Sequence, residues 1–270
     1  MGTIAKRLIL AAGWLACSSI ALAQEAPDAG SQSIDDVSRK LADPTAALIS
    51  VPFQINYLSG MGPNGNLHND ILKIQPVIPI VGDSGKFILR PILPMEWNQY
   101  PDKRSGMGDL AVQGYYVPNG DGPWDFGVGP VVSFNTASSK TLGSGKYAAG
   151  PAFVAVRKSP EWTMGALLNH LWSFAGDSDR QAVSVTNFQP FITRTLQKGW
   201  SVTVTSESSY NWKGGTGGYW TVPLGGTVSK VLRIGKMPVS FAAGGFYNVE
   251  KPDYMNKWMW RVMVTAVFTE

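Results

Sequence analysis

The chain has 270 residues, among them 10 Trp, 9 Tyr, 11 Phe and 30 Gly, and it carries a single cysteine, Cys17. That aromatic and glycine content suits a membrane β-barrel with aromatic girdles. The formal charge of +4 falls once the leader containing Lys6, Arg7 and Cys17 is removed: 21 basic residues then face 19 acidic ones, which is too mild to argue for nucleic acid and leaves no thiol for a disulfide or a thiolate metal site.

The N-terminus reads as a secretory signal peptide spanning 1–23. Lys6 and Arg7 form the positive start, 8–22 is a short apolar stretch, and Ala21-Leu22-Ala23 is a small-x-small cleavage site. A lipoprotein signal ending at Cys17 competes, but bulky Trp14 stands where an aliphatic residue is usual. Residues 24–48 form a periplasmic N-terminal segment: a polar leader, then a short helix capped by Ser33 with Ile34, Val37 and Leu41 on one face, limited by Pro44. Two positions are open to this helix, one before the barrel and one as a plug in its lumen; its shortness favours the first.

From residue 49 to 270 the chain is expected to form a single antiparallel up-and-down transmembrane β-barrel of about twelve strands. The candidates are 49–59, 72–81, 86–97, 109–117, 124–136, 146–157, 162–174, 182–196, 200–212, 219–232, 238–249 and 257–268. Each is close to the roughly 9–11 residues that a tilted strand needs to cross a bilayer. The ninth shows the period best: Trp200, Val202 and Val204 on one face, Ser201, Thr203, Thr205 and Glu207 on the other.

Links after even strands are tight, as in Gly82-Asp83-Ser84-Gly85, and links after odd strands are longer and more polar. Outer-membrane barrels have short periplasmic turns and longer outside loops. Trp124, Trp162 and Trp200 begin strands after short turns, whereas Trp97, Trp172, Trp212, Trp220 and Trp258 lie at the opposite ends, where an amphipathic ring meets the headgroups. Outer-membrane lipids and lipopolysaccharide are therefore expected partners. The last strand, with Phe268 near its end, is similar to the signal read by the barrel-insertion machinery, although Thr269 and Glu270 follow it. Six prolines (Pro76, Pro91, Pro130, Pro151, Pro190 and Pro223) fall inside strands, where each removes a ladder donor.

The prolines also carry a resemblance. Ile74-Gln75-Pro76-Val77-Ile78-Pro79, Leu89-Arg90-Pro91-Ile92-Leu93-Pro94, Gly129-Pro130, Gly150-Pro151, Trp172-Ser173-Phe174-Ala175-Gly176-Asp177, Gln189-Pro190-Phe191 and Lys251-Pro252 together resemble the outer-membrane β-barrel family labelled "MetA-pathway of phenol degradation". The resemblance covers 42–268. It implies a barrel channel for small or aromatic molecules; the phenol link is a pathway association, not a substrate.

Alternation sends a set of polar residues inward, of which Lys73, Gln75, Arg90, Glu96, Asp109, Asp125, Asn169, Gln189, Glu207 and Arg261 are the lumen or constriction candidates. Arg or Lys facing mid-bilayer lipid costs about 2–4 kcal/mol, so these cations belong inside. They either solvate the interior or sort a passing small-molecule solute by charge and size. Catalysis lacks the geometry. Outer-membrane phospholipases set a His and a Ser two apart on the lipid face; His170 and Ser173 are three apart, hence on opposite faces. With His68 as the other histidine, neither a triad nor a metal set is spelled out. Gly214–Gly218 is glycine-rich without a following helix to bind phosphate. The expectation is a channel, not an enzyme, with no cofactor.

Overall fold

The computed structural model describes residues 33–215 and 217–268; the signal peptide, Cys17 and the leader up to residue 32 lie outside the described residues. Fifteen strand segments form one sheet: β1 (Ile49–Met61), β2 (Leu67–Ile74), β3 (Ile78–Gly82), β4 (Gly85–Asn98), β5 (Arg104–Met107), β6 (Ala111–Pro118), β7 (Trp124–Ser133), β8 (Lys146–Lys158), β9 (Trp162–Gly176), β10 (Ser184–Thr195), β11 (Trp200–Ser206), β12 (Ser208–Asn211), β13 (Tyr219–Ile234), β14 (Met237–Glu250) and β15 (Trp258–Phe268). The pairs β2/β3, β5/β6 and β11/β12 are each one interrupted crossing, so the chain crosses twelve times. All pairings are antiparallel, and β1 closes on β15 from Ile49 opposite Phe268 to Ser59 opposite Trp258. Closure leaves no free edge, which is what lipid demands of a sheet. The fourth crossing begins at Arg104, earlier than its alternation suggests, because Gly106 and Gly108 interrupt the pattern there.

The six prolines have a common physical account. Each sits where its ladder is already broken. Pro76 and Pro91 fall opposite each other in the gap where β4 exchanges β3 for β2 as partner. Pro130 and Pro151 pair with each other; the β6–β7 ladder skips from Val131 to Val128, and the β8–β9 ladder skips from Ala149 to Ala152. Pro190 lies where β10 passes from β12 to β11, and Pro223 sits at a register shift in β13. A residue without an N–H costs little where no rung is formed.

Short turns gather at one end. Asp83-Ser84 joins β3 to β4, and Gly235-Lys236 joins β13 to β14, with Gly235 at φ +63° as such a turn requires. The longer links, up to the one over 134–145, gather at the other end. The outward face is an apolar band that includes Phe53, Ile55, Phe126, Phe153, Val204 and Val262, bordered at the short-turn end by Trp124, Trp162 and Trp200 and at the long-loop end by Trp97, Trp172, Trp212 and Trp258, all exposed. Lys230 stands 4.9 Å over the Trp200 ring and Arg194 5.4 Å over Trp162, cations reaching past the girdle toward water.

The inward face is divided, and here the structure departs from a uniformly polar lumen. Ile88, Tyr115, Val117, Val131, Ala152, Val154, Val156 and Leu167 point inward and pack together as a buried core on the side of β4 to β9. The opposite wall, from β10 to β1, presents Thr193, Ser201, Thr203, Thr205, Thr227, Ser229, Ser240 and Thr265. Small hydroxyl side chains leave space, and an N-terminal helix uses it.

That helix, α1 (Ile34–Ala42), has Asp35 and Asp36 in its first turn and Arg39 and Lys40 in its last, as the helix dipole favours. It packs into the short-turn mouth against β10, β11, β13 and β14 rather than lying ahead of the barrel. Its apolar face needs cover, and lumen residues supply it: Val37, Ala46 and Leu48 form a buried cluster with Val231 and Val267. Ser38 Oγ lies 2.8 Å from Ser201 Oγ, and the Gly199 amide donates to Asp35 Oδ1 at 2.5 Å. Gly199 has φ +74°, and a Cβ there would stand 2.4 Å from Ile34 Cγ2, so only glycine admits the helix.

Candidate functional site

Between α1 and the middle of the barrel lies a cavity of about 570 Å³. Ser38, Leu41 and Asp43 of the N-terminal segment form its floor. Seven of the sequence candidates line it: Lys73, Gln75, Arg90, Asn169, Gln189, Glu207 and Arg261. They enter from β2, β4, β9, β10 and β15, from the link after β2 and from the break between β11 and β12, although they are far apart in the chain.

The centre of the site is an ion pair inside the lumen that reaches over β13 and β14. Arg261 on β15 donates to both carboxylate oxygens of Glu207, at 2.6 and 3.0 Å. Glu207 occupies the break between β11 and β12, opposite Gln189 on one side and Pro223 on the other, so its backbone is released from the ladder where its carboxylate is needed. Arg261 Nε donates to Asn56 Oδ1 at 2.8 Å, and its guanidinium lies 4.6 Å from the centre of the buried Phe246 ring. A bidentate, stacked arginine is held in one orientation. Asn56 Oδ1 also accepts from Gln54, whose own Oε1 accepts from Gln75, each at 3.3 Å. A polar belt thus runs from β2 to β12.

Lys73 and Arg90 stand beside this belt. Lys73 is within electrostatic reach of Glu207, Arg261 and Glu96, and Arg90 of Glu207 and the Tyr115 hydroxyl. Among the described residues neither cation forms a hydrogen bond or a salt bridge.

Three candidates have other surroundings. Glu96 accepts from Asn98 Nδ2 at 2.9 Å and does not line the cavity. Asp109 clamps the 134–145 link, accepting from the amides of Thr136, Ala137 and Ser144 and from Ser144 Oγ. Asp125 sits at the short-turn end, bonded by Lys158 at 2.7 Å and by Thr45 Oγ1 at 2.8 Å, with Lys86 3.5 Å away. It ties the N-terminal segment to the barrel wall. Alternation gives the face a residue points to but not its height in the barrel, so all three read as lumen residues.

The sequence reading missed two groups. Phe191 and Leu171 line the cavity beside Leu167 as an apolar wall, and their signal is hidden because the residues on both faces of those strands are apolar. The other group is on the lipid face. His170 does not meet Ser173, whose Oγ accepts from the Val183 amide. It meets residues of the next strand: Nδ1 lies 2.7 Å from Thr186 Oγ1 and Nε2 lies 3.3 Å from Ser184 Oγ. Strand pairing brings residues fourteen apart together, which spacing along one strand does not reveal.

The architecture is that of an outer-membrane-type β-barrel. The chain is similar in structure to an outer membrane channel from Pseudomonas putida F1, with a TM-score of 0.64, 12% identity, and coverage of 90% of this chain and 100% of that one. Looser likenesses are to the beta domain of the Bordetella autotransporter BrkA (TM-score 0.47, 14% identity, 82% and 100% covered) and to the outer membrane phospholipase dimer with bound calcium from Salmonella typhi (0.42, 11%, 88% and 99%). At these identities the likeness is one of fold. No family model matches the chain, and no curated protein matches it.

Proposed function

We propose that the protein is a Gram-negative outer-membrane channel through which small solutes pass, small aromatic compounds among them, with α1 as a plug at the periplasmic mouth. The observation that carries this reading is the lumen cavity itself, bounded by charged and hydroxyl side chains on one wall and by apolar ones on the other. A purely structural barrel would fill that space. The resemblance to the phenol-degradation family supports the same reading, as does the outward apolar band, which suits contact with outer-membrane lipid and lipopolysaccharide. Phe268 at the end of β15 suits the insertion machinery. Liposomes carrying the purified protein are expected to swell in sugars, amino acids or phenols; neither swelling nor conductance from folded protein would sink the proposal.

A second reading rests on the Ser184–His170–Thr186 arrangement, which places a hydroxyl and an imidazole together on the lipid face as an acyl hydrolase would. It is weaker. Thr186 offers His170 a hydroxyl rather than a carboxylate or amide, and its Oγ1 already accepts from Trp212 Nε1 at 2.9 Å. Ser184 is buried. Release of fatty acid from phospholipid vesicles by the wild type, lost in Ser184→Ala, would favour it over the channel.

A further inference from the structure

We infer that the lumen cavity contains a binding site for small amphipathic monocarboxylates, in which Lys73 and Arg90 receive the carboxylate and Ile92, Leu167, Leu171 and Phe191 receive the apolar body. The site rests on the channel reading and names the class of solute it sorts.

The charge inventory is the first ground. Arg261 and Glu207 satisfy each other with two hydrogen bonds, so to their surroundings they are a neutral pair. Lys73 and Arg90 remain, with Glu96 as the further carboxylate in reach of Lys73 and already engaged by Asn98. Lys40 and Asp43 at the cavity floor cancel in formal charge, so Lys73, Arg90 and Arg261 against Glu207 and Glu96 leave one positive charge uncompensated, which suits a monoanion better than a dianion. A cation held away from bulk water without a partner is unfavourable, so an entering carboxylate is stabilised by contact with both groups.

Placement is the second ground. Val77 falls opposite Arg90 across the proline gap, and Lys73 lies four residues before Val77 on the same crossing. The two side chains therefore enter the lumen at either end of a stretch where the ladder is open, and Gln75 lies between them. Arginine offers a planar fork of donors and lysine a mobile one, a combination that accepts two carboxylate oxygens.

The third ground is the wall. Ile92 projects from the same strand as Arg90, two residues on, and Leu167, Leu171 and Phe191 line the cavity as the margin of the buried core. An inorganic anion would use the cations and leave this surface wet; a neutral aromatic would use the wall and leave the cations unpaired. A carboxylate with an aromatic or branched body uses both. The cavity volume falls within the range of small-ligand pockets, roughly 300–1,000 Å³.

The test is calorimetric titration of the full-length folded barrel in detergent, against empty micelles, with three probes: benzoate, benzamide (the same ring without the charge) and acetate (the charge without the ring). Benzoate is expected to bind saturably and at least about tenfold more tightly than either comparator, since a charged hydrogen-bonded contact and a buried ring each contribute about one order of magnitude. Lys73→Gln and Arg90→Gln are each expected to weaken benzoate binding about tenfold; Arg90→Lys is expected to retain part of it, and Lys140→Gln in an outer loop all of it. Circular dichroism and the gel shift on heating confirm that each variant is folded. Benzoate binding no tighter than benzamide, or unchanged in the Lys73→Gln/Arg90→Gln double variant, overturns the site. Benzoate binding as expected without liposome swelling would defeat the passage reading and leave the site standing. Swelling with equal binding of benzoate and benzamide would defeat the site alone.

Discussion

Cysteines placed by Ser38→Cys and Ser201→Cys are expected to lock the barrel in a low-conductance state when oxidised, and reduction is expected to raise single-channel conductance severalfold. The two hydroxyl oxygens are 2.8 Å apart, so the β-carbons that carry them lie close to the spacing a disulfide accepts. No other cysteine follows residue 17, so the introduced pair has no competitor. An α-helix with its side chains is about 10–12 Å across, wide enough to fill much of a small barrel's mouth. What holds α1 there is modest: a small apolar cluster around Val37, the Ser38–Ser201 contact, the Asp35–Gly199 hydrogen bond and the Asp125 tie to Thr45. Contacts of that strength allow a helix to leave and return. Identical conductance in the oxidised and reduced proteins in planar bilayers would show that α1 does not gate.

Glu207→Ala is expected to lower stability by roughly 3 kcal/mol, the scale for removing one partner of a buried ion pair, and to shift the reversal potential in a KCl gradient toward anion selectivity. Arg261 is 6% exposed and Glu207 26%, so the stranded guanidinium has little water to replace its partner. Three cations, Lys73, Arg90 and Arg261, would then face the lumen without the central carboxylate. Arg261→Ala is expected to shift selectivity less, because Glu207 stays within reach of Lys73 and Arg90. Thermal unfolding followed by gel mobility reads the first effect and bilayer recordings the second. Unchanged selectivity in both variants would remove the pair from the conduction path.

Much of the barrel was legible because lipid enforces a simple rule. Where one face is apolar and the other polar, as in Trp200 to Glu207, the period of two appears directly in the residues. The girdle tryptophans and the alternation of short and long links were legible for the same reason: the bilayer has two interfaces, and the chain must meet each one twelve times. The rule fails where the lumen is also apolar. Val154 and Val156 point inward beside outward Phe153, and no alternation marks them. Nor did the prolines explain themselves singly; their meaning lies in pairs across strands, such as Pro130 with Pro151.

Residue identity and order by themselves determined the class of fold, its twelve crossings, the inward direction of Lys73, Arg90, Glu207 and Arg261, and the end of the barrel to which the N-terminal segment belongs. Those properties follow from local periodicity and from the cost of placing charge in lipid, and both act residue by residue. Tertiary structure decided the rest. It set Asp109 and Asp125 apart from Glu207 by height along the wall, it brought Arg261 over two intervening strands to Glu207, and it turned a short amphipathic helix into the floor of a cavity. Height and distance across a lumen depend on strand tilt and closure, which arise only when all twelve crossings pair, and no single strand carries them.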